Sequence, residues 1–322
     1  MSAGQGATVL VTGATGFVGR HVVARLAARG HRVRALVHRR ESEPVVARPG
    51  IELAYGDVAD AGSLRAATEG VSAVVHLVAI IRERGASTFE RVNHRGTENV
   101  ASAAQAAGAR CLVYLSVIGV ADDLRLPYLR SKWLAEQAVR QSGVPHTILR
   151  ASLLFGEGDE FFNVLAGVVK AFPLVPVAGN GRARFQPLAV EDVAECVAQA
   201  VEREDLRGQT VEIGGPAYWT YDEMVALVAQ TLKLRRWKLH LPLGFMRPLV
   251  GAMEKTLPRP PATLQQLSML AIDNTADLTT VERAFGFRPH PLEESVGYIG
   301  RVSWWDGVCI SFGFPPRWLR GH

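Results

Sequence analysis

Cysteine is scarce: three in 322 residues, Cys111, Cys196 and Cys309, far apart and with no CxxC pair. That excludes a disulfide framework and supplies no zinc-ligand spacing, which leaves all three as small core residues. Long apolar runs are missing too. The longest, such as Val71 to Ile81, fall short of the roughly 20 residues that cross a bilayer and read as a buried strand with its loop. Met1 to Gly6 lacks a charged segment followed by an apolar stretch, so no secretory signal is read there. The expected location is the cytoplasm, either free or at the cytoplasmic face of a membrane. Charge of one sign is weak: the formal net charge is +5, and the arginines are scattered instead of forming a basic run with interleaved aromatics. Nucleic acid is therefore not an expected partner. No repeat or low-complexity segment occurs. What remains is a chain that is 48% hydrophobic, enough to bury a large core as one main lobe with a smaller one.

The main lobe is organised around Val9-Leu10-Val11-Thr12-Gly13-Ala14-Thr15-Gly16-Phe17-Val18-Gly19, an apolar strand running through a glycine-spaced turn into a helix. Gly13 permits a tight turn, Gly16 lets a pyrophosphate approach the backbone, and Gly19 lets the helix pack closely on the sheet. The free N–H groups from Thr15 through Gly16, Phe17, Val18 and Gly19 then face an anion at a helix start. Val18, Val22 and Leu26 share one helical face, and Gly30 is the stop. Strand and helix patterns go on alternating through His31–Val37, Ile51–Tyr55, a helix around Ser63–Glu69 and Ala73–Val78. That order specifies α/β architecture, a doubly wound parallel sheet. The second strand ends in Val37-His38-Arg39-Arg40, where a NAD site usually carries an acid. Guanidinium groups there pair with a 2′-phosphate, so NADP(H) is the preferred cofactor, with NAD(H) as the alternative. Arg39 is the first candidate and Arg40 the second, with His38 beside them; a solvated basic loop is the competing reading.

The GxxGxxG spacing resembles the short-chain dehydrogenase/reductases, above all their extended and atypical branches. The resemblance implies a Rossmann lobe with a smaller interleaved C-terminal substrate lobe. It places Asp57 and the Val58 N–H near the adenine, although Asp57 also suits a turn. It makes His76-Leu77-Val78-Ala79 a turn that covers the cofactor, with His76 structural. Asn93-His94-Arg95-Gly96-Thr97-Glu98-Asn99, in a helix expected over Phe89–Gly108, resembles the family's NxxGTxN signature, with Asn93 a buried brace. Tyr128 and Lys132 match YxxxK. At i and i+4 the ammonium lies near the phenol and lowers its pKa, as a Tyr acid or base requires, and the same Lys holds the nicotinamide ribose. The hydroxyl that orients the substrate oxygen falls at Ile118, which cannot donate. Ser116 either substitutes for it or caps the strand.

The expected division is residues 1–152 for the dinucleotide-binding lobe and 153–322 for the substrate or partner lobe, with about 186–213 returning to the first. Leu149–Asp159, Phe185–Ala194 and Glu212–Pro216 match the landmarks of the extended and atypical branches. Together with Leu257–Leu270 and Asp273-Asn274, they resemble bacterial relatives of the NAD(P)H-binding accessory subunit of respiratory complex I. That family implies a cofactor that is structural more than turned over; an active oxidoreductase or epimerase using Tyr128 and Lys132 is the alternative. Leu241–Met253 and the tail with Trp304, Trp305, Phe312, Phe314, Arg317, Trp318 and Arg320 are expected to bury against the body. A docking face for a hydrophobic ligand, a protein partner or a membrane surface is the alternative.

Overall fold

Seven short runs rich in Val, Ile and Leu pair into a single sheet in a computed structural model that describes residues 7–270 and 272–319. Met1–Gly6 and Arg320, invoked above, lie outside the described residues. The strands are β1 (Thr8–Thr12), β2 (Arg32–Val37), β3 (Ile51–Tyr55), β4 (Ala73–His76), β5 (Cys111–Val117), β6 (His146–Ala151) and β7 (Thr210–Ile213). Their order is β7-β6-β5-β4-β1-β2-β3, and every pair is parallel. The direction of winding reverses between β1 and β4, where such sheets bind their ligands beyond the carboxyl ends of the strands.

Helices α1 (Phe17–Ala28), α2 (Ala61–Thr68), α3 (Gly96–Ala106), α4 (Pro127–Gln141) and α5 (Val190–Glu202) cover the sheet. Leu10, Val74, Leu112 and Ile148 pack against Leu64, Val100, Ala104, Ala135 and Val139 of α2, α3 and α4. Their strand neighbours Val9, Val11, Val75 and Val113 point the other way and are also fully buried, so both faces are covered and the strands read as unbroken apolar runs. Helix α1 buries Val22, Val23 and Leu26, each worth roughly 1.5–3 kcal/mol. It is also tied to α5 by Arg25–Glu195 at 2.5 Å, by Arg29–Glu202 at 2.5 Å and by Arg29–Glu195.

The long helix expected over Phe89–Gly108 is not uniform. Phe89–Arg95 winds as a π-helix and only Gly96–Ala106 is α-helical. The wide turns bring Asn93 fully inside, and Gly96 lets the chain pass Val58, whose Cγ2 would lie 3.0 Å from a Cβ at that position.

Two compact units are present: residues up to Ala151 with Val190–Ile213, and Ser152–Ala189 with the chain from Gly214 onward. The second is built on Phe155, Phe162, Val169, Val175, Met224 and Val228. Its helices Phe161–Ala171 and Trp304–Ser311 touch backbone to backbone, since a Cβ on Gly307 would lie 2.3 Å from the Gly167 carbonyl oxygen. Gln186, fully buried, donates to the Gly215 carbonyl at 2.7 Å and accepts from the Ala276 N–H at 2.6 Å. Gly214 is required beside it, because a Cβ there would be 2.3 Å from the Gln186 amide carbon. The burial expected of the aromatic tail does not occur. Trp304, Trp305, Phe312, Phe314 and Trp318 are 41–65% exposed; in the helix, the crossing seats Gly307 and Ile310 inward and leaves Trp304 and Trp305 outside.

Candidate functional site

The glycine loop between β1 and α1 is shaped for an anion. Gly13 has φ +71, which an L side chain rarely adopts, and a Cβ on it would lie 3.1 Å from the Val78 nitrogen. Gly16 is the N-cap of α1 and has no side-chain cap, and no acid occupies the first turn. Phe17, Val18 and Gly19 therefore present N–H groups without an intrahelical acceptor, next to the half-buried Thr15. Gly19 acts differently from the expectation. Its Cβ would lie 2.0 Å from the Gly13 carbonyl oxygen and 2.7 Å from Ala14, so the helix closes onto its own turn and not onto the sheet. This cradle fits a dinucleotide pyrophosphate.

At the end of β2, His38, Arg39 and Arg40 are all exposed. Arg40 lies over the Tyr55 ring at 4.6 Å, and His38 Nδ1 is 3.9 Å from Asp57. Asp57 itself makes a turn, its carboxylate accepting from the Ala59 N–H at 2.9 Å. Val58 is buried against the α3 start, and its carbonyl accepts from Asn99 at 2.9 Å. Beyond β4, Val78 is half-buried and Ala79 exposed, beside the Gly13 turn.

Beneath this rim runs a buried polar chain. Thr97 donates its only hydroxyl proton to the Asn93 carbonyl at 2.6 Å, so the bond at 2.9 Å between His76 Nε2 and Thr97 must be donated by the imidazole. His76 Nδ1 then accepts from Thr12 at 2.6 Å. Burial, with Lys132 nearby, pushes the His76 pKa down to about 3. The imidazole is a neutral strut. Asn93 bonds both the N–H and the carbonyl of Ile80, at 2.8 and 3.0 Å, and donates to Ser131 at 3.0 Å. The brace thus reaches the loop after β4 and helix α4.

Helix α4 opens on Pro127, suited to a first turn where its missing N–H costs nothing. Its inward stripe is Tyr128, Leu129, Ser131, Lys132, Ala135, Glu136 and Val139. Tyr128 and Lys132 share this stripe as the spacing requires, but the expected electrostatics differ. Burial pushes the Tyr128 phenol up to about 12, and its ring lies 5.9 Å from that of Phe89. The Lys132 ammonium is engaged elsewhere, donating to the Leu115 carbonyl at 2.7 Å and lying 4.3 Å from the Tyr114 ring centre. Burial lowers its own pKa to about 7, against an opposing pull from Glu136.

Ser116 is likewise redirected. Its hydroxyl donates to Glu136 at 2.7 Å, so the proton meant for a substrate oxygen is already committed. Ile118 is buried, with its N–H bonded to the Ala151 carbonyl at 2.9 Å. Sequence reasoning missed Glu136, a fully buried carboxylate that also accepts from Arg150 at 2.9 Å and Arg140 at 2.8 Å. An acid four residues past Lys132, inside an apolar stripe, was the available signal.

One measurable consequence concerns Lys132. Its folded pKa of about 7 lies below the ordinary 10.5, so the unfolded chain binds the extra proton between those values. The buried ammonium destabilises the fold fully below pH 7, and the penalty disappears as pH rises toward 10.5. Lys132→Met is expected to be more stable by about 2 kcal/mol at pH 6, after losing one hydrogen bond. That gain should shrink at pH 9 in urea unfolding; a gain independent of pH contradicts the assignment.

Residues 9–214 match the NAD dependent epimerase/dehydratase family, well over half of the chain. The chain belongs to that family. The mitochondrial "NADH dehydrogenase [ubiquinone] 1 alpha subcomplex subunit 9" of Arabidopsis thaliana is 30% identical over 258 residues, covering 77% of this chain and 63% of that one. "Ceramide reductase" of Caulobacter vibrioides is 34% identical over 186 residues, 58% of each. This family member thus spans about three fifths of the length of these curated relatives. Triphenylmethane reductase of Citrobacter sp., solved with NADP(H), shares the fold at a TM-score of 0.73 and 20% identity, over 89% of this chain and 98% of that one. Among the described residues no helix is long and apolar enough to cross a membrane.

Proposed function

We propose that this protein holds NADP(H) as a resident cofactor whose role is largely structural. The observation that carries this reading is the state of the substrate-orienting position. Ile118 fills it with buried hydrocarbon, and the nearest hydroxyl, Ser116, is bound to Glu136 at 2.7 Å. A missing donor of this kind costs on the order of 10²-fold or more in rate. Gly13, Thr15, Gly16, Phe17, Val18 and Gly19 hold the pyrophosphate. Asp57, Val58, Val78 and Ala79 border the adenine and the cofactor's cover, and Lys132 takes the nicotinamide ribose. Arg39 pairs with the 2′-phosphate, with His38 and Arg40 beside it. Arg39 is favoured over Arg40 because its exposed side chain has no partner among the described residues, while Arg40 is stacked on Tyr55. A bound NADP(H) supplies hydride-transfer chemistry.

An active reductase or epimerase is the second reading. It is favoured by the retained pair of Tyr128 and Lys132 on one buried stripe, with an ammonium pKa near neutrality. Titration with NADPH, NADP⁺ and NADH, following thermal stability and nicotinamide oxidation together, separates the two. A structural cofactor predicts a gain of about 2.7 kcal/mol at a hundredfold excess over Kd, larger for NADPH than for NADH, with no turnover on aldehydes, quinones or nucleotide sugars. Turnover that vanishes in Tyr128→Phe establishes the enzyme instead. Failure to bind any dinucleotide defeats both.

A further inference from the structure

We infer that the outer face of the helix Leu243–Thr256, in the second unit, is a docking surface for an anionic lipid bilayer. The helix carries two apolar stripes where a surface helix needs one. Leu243, Met246 and Val250 turn inward onto Ala178 and Leu267. Phe245, Leu249 and Ala252, spaced i, i+4 and i+7, form the second stripe and are left in solvent, Phe245 at 76% and Leu249 at 57% exposure. The chain's tail runs past the C-terminal end of this helix. Gly313 passes the end of the helix so closely that a Cβ on it would lie 2.9 Å from the Leu257 Cβ, and its neighbours Phe312 and Phe314 are both exposed. An exposed stripe of aromatic and aliphatic groups such as Phe245 and Leu249 marks an interaction site.

Charge identifies the occupant. Residues 233–259 contain seven Lys or Arg and a single acid, Glu254; of the seven, Lys238 is paired with Asp222 at 2.5 Å. Arg247 and Lys255, on the helix itself, are exposed and make no ion pair among the described residues. A second copy of the chain applied by a two-fold axis would set these like charges against each other. A bilayer with anionic headgroups accepts both the apolar stripe and Lys255, which lies about a quarter turn around the helix from it. The helix, 14 residues long, rises about 21 Å; that is too short to span a membrane but suited to lie in its interface, with the apolar stripe among the upper acyl carbons.

The test is flotation of the full chain with vesicles of phosphatidylcholine alone and of phosphatidylcholine with about one third phosphatidylglycerol. The expected result is association with the anionic vesicles only, reversed by salt. The double variant Phe245→Ser/Leu249→Ser should bind at least roughly tenfold more weakly, with unchanged thermal stability and NADPH affinity as evidence that it is folded. Lys255→Glu should weaken binding without touching the apolar stripe, and Arg247→Glu, on the far side of the helix, should weaken it less. No association at low salt overturns the inference, as does equal flotation with neutral vesicles or wild-type binding by the double variant. A dimer in sedimentation velocity that Phe245→Ser dissolves makes a second copy the occupant and overturns it too.

Discussion

A Gly19→Ala variant is expected to lose dinucleotide binding by more than about 100-fold and to unfold about 2–4 kcal/mol more easily, the overpacking here falling on backbone that cannot turn aside as a side chain does. The added methyl would stand 2.0 Å from the Gly13 carbonyl oxygen and 2.7 Å from the Ala14 Cα and carbonyl carbon. The Gly13 carbonyl also accepts the Gly16 N–H at 3.0 Å, the bond that closes the turn. Relieving the clash therefore opens the turn and moves the free N–H groups of Phe17 and Val18 off their common focus. Gly16→Ala gives the contrast. Its Cβ would be 3.2 Å from the same oxygen, a strain that a few tenths of an ångström relieve. The fold should survive while a pyrophosphate lying against Gly16 is pushed away. Thermal unfolding with and without NADPH reads both effects. Gly19→Ala should lower the apo midpoint and abolish the ligand shift, and Gly16→Ala should abolish the shift alone. A Gly19→Ala protein that binds within about threefold of wild type would falsify the cradle.

The strands and the glycine turn were legible because each is written locally. Buried parallel strands are unbroken apolar runs, and a left-handed residue such as Gly13 is nearly always glycine. Side-chain commitments across the sheet were not. The hydroxyl of Ser116 is settled by a carboxylate 20 residues away on α4, and the ammonium of Lys132 by the Leu115 carbonyl 17 residues before it. Spacing on one helix puts Tyr128 and Lys132 on a common stripe but does not say which neighbour the ammonium takes. The phenol's pKa is hidden from the sequence for the same reason: the spacing shows a charge four residues away, whereas burial, which dominates, depends on the whole packed sheet. The exposed tail failed on another count, since hydropathy cannot tell which side of a Trp-rich helix its glycine will turn inward.

Glu136→Ala is expected to cost about 2–3 kcal/mol, because it strips a hydrogen-bonded carboxylate from two guanidinium groups that are only 24% and 32% exposed, Arg150 keeping Glu212 at 3.4 Å. The carboxylate is fully buried and accepts four bonds, from Ser116 at 2.7 Å, Arg140 at 2.8 Å and two Arg150 nitrogens at 2.9 Å. Burial alone would push its pKa up, and the bonds from Arg150, Ser116 and Arg140 more than reverse this, holding it below the ordinary value. A depressed carboxylate gives stability that is present above the unfolded pKa and lost as pH falls through the folded one. The advantage of wild type over Glu136→Gln should therefore be constant near neutrality and shrink below about pH 4.5. Chemical unfolding across that range checks the sign, and a Glu136→Ala protein within about 1 kcal/mol of wild type at pH 7 counts against the network. Pairing Glu136→Leu with Arg150→Met should recover part of the loss, since the stranded guanidinium leaves with its partner. The variant also reaches the cofactor site. Glu136 sits one turn beyond Lys132 and its charge holds the Lys132 pKa up against burial, so Glu136→Gln should leave less ammonium at pH 7. If the ammonium of Lys132 binds the nicotinamide ribose, NADPH affinity in that variant will weaken as pH rises, over a range lower than in wild type.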